Sequence, residues 1–220
     1  MEATSSRTWT LVGLAIALFG IPATVIAQRL LASDPSAATS IVARELAILS
    51  LTAFLLWITR SRERLSFGSI GVGTQPLGRS LAWGAALALV SFAAIVACLA
   101  IYSALGIHYG EGSAISRSLP VTLLTVARAG VSEEIFYRGY AIERLESLSG
   151  SKWIAAAASL AAFAGFHYRQ GIAGIGLALM LGAVITGFYL WKRNLVAVMF
   201  AHFLVDFVPN VLLPLFGAAN

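Results

Sequence analysis

Charge is scarce in this chain of 220 residues: Asp, Glu, Lys and Arg make up 11% of it, against about 25% in a typical soluble domain. Together with 59% hydrophobic residues and a mean hydropathy of +0.84, that scarcity excludes an ordinary soluble domain and points to a polytopic membrane protein. Cysteine is nearly absent. The single Cys98 excludes an intrachain disulfide and a thiolate metal cluster, and reads as a small core residue. The net charge is +5, yet the 15 basic residues stand singly or in twos and threes at the ends of apolar runs. That pattern is one of membrane topology and excludes a nucleic-acid-binding stripe. No repeat, low-complexity tract or water-soluble insert is present, and no His-Glu-x-x-His motif.

What the chain does have is apolar runs. They cover Trp9 to about Leu31, about Ser40 to Thr59, about Leu81 to Leu105, Pro120 through Glu146, Trp153 to Tyr168, Ile172 to Trp191, and from just after Asn194 to about Val208. Each is close to the roughly 20 residues that a membrane-spanning helix needs. The expected fold is all-α, a polytopic transmembrane helical bundle of about seven spans. Residues 1–117 would form three spans and their connectors, 118–210 a four-span core, and 211–220 a tail. Val25-Ile26-Ala27 resembles a small-residue cleavage site, but Arg7 faces only Glu2 and the rest is equally apolar, so the first run reads as a retained span. Asp34-Pro35-Ser36 marks a turn, and Phe67 to Gly78, rich in glycine, a loop without a regular period. A polar connector over 106–119 holds His108 and Glu111. Gly174, Ala178, Gly182 and Thr186, four residues apart, form a ridge of small side chains for close helix approach.

Seven spans would put Arg7, Arg60, Arg62, Arg64, Arg79, Arg144, Lys152, Lys192 and Arg193 on one side and Arg29, Arg44, Arg117 and Arg169 on the other. The multi-pass protein is therefore expected to have a cytoplasmic amino terminus.

Ser132-Glu133-Glu134-Ile135-Phe136-Tyr137-Arg138 breaks the apolar pattern. An ionised side chain near the middle of a membrane helix costs roughly 2.5–3.5 kcal/mol on insertion scales, so three within six residues need partners. On a helix Glu134 and Arg138 share a face and can pair. Glu133, turned about 100° away, has no such local partner and is left to face a cavity as a candidate general base. A buried ion-pair cluster that only fixes helix packing is the competing reading.

Two of the three histidines lie inside predicted spans: His167 four residues after Phe163, and His202 four residues before Asp206. His108 reads as a surface residue. With a rise of about 1.5 Å per residue, Glu133 and His167 stand roughly 20 Å, and His202 roughly 13 Å, from one end of their helices, compatible with one site near mid-membrane. His202 and Asp206 share a face, where the carboxylate could fix the imidazole tautomer or both could face a substrate.

Glu133-Glu134-x-x-x-Arg138, then Phe163-x-x-x-His167, then His202-x-x-x-Asp206, in this order on successive helices, resemble the CAAX protease and bacteriocin-processing (CPBP, Abi) family of intramembrane proteases over about residues 118–210. The resemblance implies that the last four spans form a catalytic core. It implies an intramembrane endopeptidase for a membrane-associated or lipid-modified protein or peptide in the bilayer, with Glu133 activating water, His167 sharing that water, His202 and Asp206 stabilising the oxyanion, and Glu134 and Arg138 in support. Some members carry asparagine where Asp206 stands; an ionised carboxylate is a poor oxyanion donor, so Asp206 could instead orient His202. Zinc is left open, with His167, His202, Asp206 and Glu133 as its ligands if it is used.

Two other readings compete: a non-proteolytic immunity or regulatory membrane protein of the same fold, and a proton-coupled transporter using the buried carboxylates as a relay. The second is disfavoured by an expected clustering of ionisable groups in the last four helices, with no matching pattern in the first three.

Overall fold

A computed structural model describes residues 2–109 and 118–217. Glu111, Arg117 and residues 218–220 of the tail lie outside the described residues. Among the described residues every regular element is helical. Helix α1 covers Glu2–Leu31 and runs through Pro22, α2 covers Ala38–Trp57 and α3 Leu77–Ala104. Helix α4, Leu119–Arg128, has Pro120 in its first turn, where the missing N–H costs nothing. It continues as a π-helix over Ala129–Ile142 and then as α5, Glu143–Ser149, closed by Gly150 in the left-handed conformation. Then follow α6, Lys152–Phe166, a 3₁₀ turn over His167–Gln170, α7, Gly171–Lys192, and α8, Leu195–Phe207. A π-turn, Val208–Leu212, leads into the short α9, Leu213–Gly217.

Five helices are long and apolar enough to cross a membrane, with Lys152–Lys192 counted as one. That stretch is folded. Gly171, at φ +72°, turns the chain, and Leu160 and Phe163 of α6 close over Gly182 of α7, where a Cβ would meet them at 2.7 and 3.0 Å. The helix running from Leu119 to Ser149 falls outside the five although it is the most enclosed element: from 129 to 142 only Val131 is exposed. Helices α1, α2, α6 and α8 pack around it, and Ile21, Ile48, Leu55, Val198 and Ala201 join its Phe136, Tyr137 and Tyr140 in the core.

The polar pattern is inverted relative to a soluble protein. Leu30, Leu89, Val96 and Ile172 point outward, while Glu45, Arg128, Glu133, Glu134, Arg138 and His202 are buried. This is the arrangement expected when the surrounding solvent is lipid. At one end lie all five tryptophans. Arg62 stacks at 4.7 Å on both Trp9 and Trp57, Lys192 lies 4.6 Å from Trp83 and 3.5 Å from Trp191, and Lys152 lies 5.1 Å from Trp153. The loop at 67–78, read as irregular, holds a 3₁₀ turn over Phe67–Ile70 and docks on the α7–α8 junction through Leu195 N–H to the Gly71 carbonyl (2.9 Å).

Candidate functional site

The π-winding of 129–142 decides where the acidic pair points. Residues five apart come together in a π-helix, whose hydrogen bonds run between i and i+5. Arg128 and Glu133 have that spacing, and Arg128 Nη1 donates to Glu133 Oε1 at 2.9 Å. Glu133 therefore does have a local partner, contrary to the expectation from α-helical spacing. Its Oε2 accepts no hydrogen bond from the described residues. Arg128 reaches further, its Nε pairing with Oε2 of Glu45 on α2.

Glu45 is wholly buried and also paired with Arg44, whose Nη1 donates to Gln28 Oε1 of α1 at 3.1 Å. The expectation that the first three helices bring no ionisable group to the interior is thus overturned. Its sequence signal is legible in retrospect: Ile41, Glu45, Ile48, Thr52 and Leu55 form one buried stripe of α2, with two polar residues set into it. Thr52 and Ser132 share a 2.9 Å hydroxyl–hydroxyl hydrogen bond, so α2 touches the acidic stretch twice.

Glu134 pairs with Arg138 at 2.9 Å, as the four-residue spacing predicts, and both are almost completely buried. The same oxygen, Oε1, accepts a hydrogen bond from His202 Nδ1 at 2.7 Å. His202 Nε2 faces Asp206 Oδ2 at 3.5 Å. Arg138 also reaches the Gly182 carbonyl and the Thr186 hydroxyl, each at 3.4 Å, and lies 4.2 Å above the Phe163 ring. The small-residue ridge of α7 thus serves both close packing and the arginine.

His167 stands in the 3₁₀ turn just past α6 rather than within the helix. Its Nδ1 lies 2.9 Å from the Phe163 carbonyl, which can only accept, so Nδ1 carries a proton and, in the neutral ring, Nε2 keeps a lone pair. Phe163 is the shared surface, its ring 4.9 Å from that of His167 and 6.5 Å from that of His202. Tyr137, which the sequence reading left unassigned, packs edge-on against Phe163 at 5.3 Å. Among the described residues the buried Tyr137 hydroxyl and Glu134 Oε2 find no hydrogen-bond partner, one donor and one acceptor able to meet an incoming polar group.

Glu134, His167, His202 and Asp206 thus gather around Phe163 and Arg138, while Glu133 is paired with Arg128. Among the described residues no three of His, Cys, Asp and Glu are grouped to hold a metal ion, since Glu133 is turned onto Arg128 and Glu134 onto Arg138 and His202. His108 lies apart, lining an open cavity of about 290 Å³ with Leu99, Tyr102 and Tyr109.

Residues 115–208 match a family model described as type II CAAX prenyl endopeptidase Rce1-like. No curated protein and no solved structure matches the chain.

Proposed function

From the match of residues 115–208 to the type II CAAX prenyl endopeptidase model, we propose that this protein is an intramembrane endopeptidase that hydrolyses a peptide bond of a prenylated, membrane-held protein. Glu133 is the general base. One of its oxygens is fixed by Arg128 and the other is available to a water molecule. The His167 Nε2 lone pair accepts that water's second hydrogen. As the water oxygen bonds to the scissile carbonyl carbon, its proton passes to Glu133, and the oxyanion takes a hydrogen bond from His202 Nε2–H. Glu134 holds His202 through Nδ1, so the donor edge of the ring is preset. Collapse of the intermediate breaks the C–N bond, and Glu133 returns the proton to the leaving amine. Asp206 faces the donor edge of His202 at 3.5 Å and orients it.

The observation that supports this reading is the convergence of Glu134, His167 and His202 from three chain segments beside Phe163, with Glu133 next to Glu134 in the chain. The test uses the purified protein in vesicles with a farnesylated, fluorescence-quenched peptide ending in Cys-aliphatic-aliphatic-X. Cleavage is expected from the wild type and is expected to fall at least a hundredfold in Glu133→Gln and His167→Ala, on the scale of a lost general base. A chelator is expected to leave the rate unchanged, because the donors are not grouped as a metal set. Full activity in Glu133→Gln would remove the mechanism; loss of activity to the chelator would return the reaction to zinc.

A further inference from the structure

The mechanism above uses Glu133 and leaves unexplained why a second, wholly buried carboxylate, Glu45, stands behind it on α2. Arg128 joins the two, with Nη1 on Glu133 and Nε on Glu45. A guanidinium has a fixed fork of donors and meets a lone carboxylate readily in a two-point grip. With Glu133 as its only acceptor, Arg128 would turn both edges of its fork onto that carboxylate and occupy the oxygen that the reaction needs.

Glu45 prevents this. It takes the Nε–H, holds the guanidinium so that of the remaining Nη1 and Nη2 only Nη1 reaches Glu133, and shares the arginine's charge between two carboxylates. Arg44 neutralises the second of these from the rim, being 14% exposed and anchored on Gln28 of α1. The four charges of the chain sum to zero, and the polar path crosses α1, α2 and the acidic helix. The Thr52–Ser132 bond holds the same two helices in register two turns further along α2.

We infer that Glu45 and Arg128 are positioning residues for the reaction: the Glu45–Arg128 pair presents Glu133 with one oxygen held and one free. This rests on the protease reading of Glu133, and it gives the segment before residue 115 a part in the site.

Two measurements test it. In the cleavage assay with the farnesylated peptide, Glu45→Gln is expected to lower kcat by on the order of 100-fold, as a small misplacement does, with KM within about twofold. Glu45→Asp, which keeps the charge, should recover part of that loss. In thermal melting of the protein in detergent, Glu45→Gln combined with Glu133→Gln should lower Tm by more than the two single variants together, since only then is Arg128 left without a carboxylate. That excess should vanish in an Arg128→Met background.

Unchanged kcat in Glu45→Gln, in a protein that Glu133→Gln inactivates, overturns the positioning role, and so does a loss that appears in KM alone. Additive melting overturns the bridge. Should Glu45→Gln fail to fold, Arg128→Lys carries the same kinetic test, because an ammonium cannot hold two carboxylates in a fixed fork; if neither folds, the chain is structural and the inference is lost. Activity retained in Glu133→Gln would instead defeat the protease mechanism and with it the positioning role, while the melting cycle still reports the bridge by itself.

Discussion

At Glu134 a single carboxylate oxygen serves two donors: Arg138 at 2.9 Å and the His202 ring at 2.7 Å. Removing one member of a buried pair leaves an uncompensated charge and costs about 3–5 kcal/mol. Arg138→Met, which also keeps an apolar stem beside Phe163, is therefore expected to melt well below the wild type. Adding Glu134→Gln should restore much of the loss, because no buried carboxylate is then left without the guanidinium. Activity should not return with it, since His202 then lacks the carboxylate that orients Nδ1. Melting and cleavage of the three proteins check this; equal stability of Arg138→Met and wild type would dismiss the ion pair.

The residues that the sequence made legible here are those on a spacing that survives any helical winding. Glu134 and Arg138 meet in the structure as their separation predicts, and His202 and Asp206 face each other. Arg128 and Glu133 do not follow that rule. Five residues apart, they stand on different faces of an α-helix, and only the π-winding unites them. Composition carries no signal for that winding. Glu45 was hidden for another reason: next to Arg44, at the start of an apolar run, it resembles an ordinary end-of-helix pair, and only its place in the stripe with Ile41, Ile48 and Leu55 marks it as inward-facing.

Among the helices the fold was read more fully. Apolar runs of span length become helices because a backbone in lipid must satisfy its own hydrogen bonds, and every run recognised in the sequence is helical in the structure. How close the helices approach depended on glycines whose partners sequence does not name. At Gly84 of α3 a Cβ would lie 2.7 Å from the Ala197 carbonyl oxygen of α8, and at Gly130 one would lie 3.0 Å from the Phe203 N of α8. Backbone cannot rotate away as a side chain can. Gly84→Ala is accordingly expected to destabilise the protein by about 1–3 kcal/mol, the usual cost of overpacking. Gly78, in the first turn of the same helix, has no atom within 4 Å of its Cβ position. There the change to alanine should stabilise by about 0.5–1 kcal/mol. Melting both variants separates the contact from the propensity, and a stable Gly84→Ala would mean that α3 and α8 are not so tightly apposed.

Over the whole molecule the strongest asymmetry is between the two ends. The tryptophans and the basic side chains that stack on them share one end, and Arg144, paired there with Glu63 at 2.8 Å, belongs to the same set. Indole rings sit well at the headgroup level, and lysine and arginine are retained on the cytoplasmic side during insertion. Indole rings favour both interfaces alike, so the basic residues set the side: the end holding Arg60, Arg62 and Arg64 is expected in the cytoplasm and the Asp34–Ser36 turn outside. Single-cysteine labelling reads this directly. In a Cys98→Ser background, Ser33→Cys on the exposed α1–α2 turn should react with a membrane-impermeant maleimide in intact cells. Ser61→Cys, exposed among the arginines, should react only after the membrane is opened. The reverse pattern would invert the protein and, with it, the side from which a substrate's prenylated end must reach Glu133.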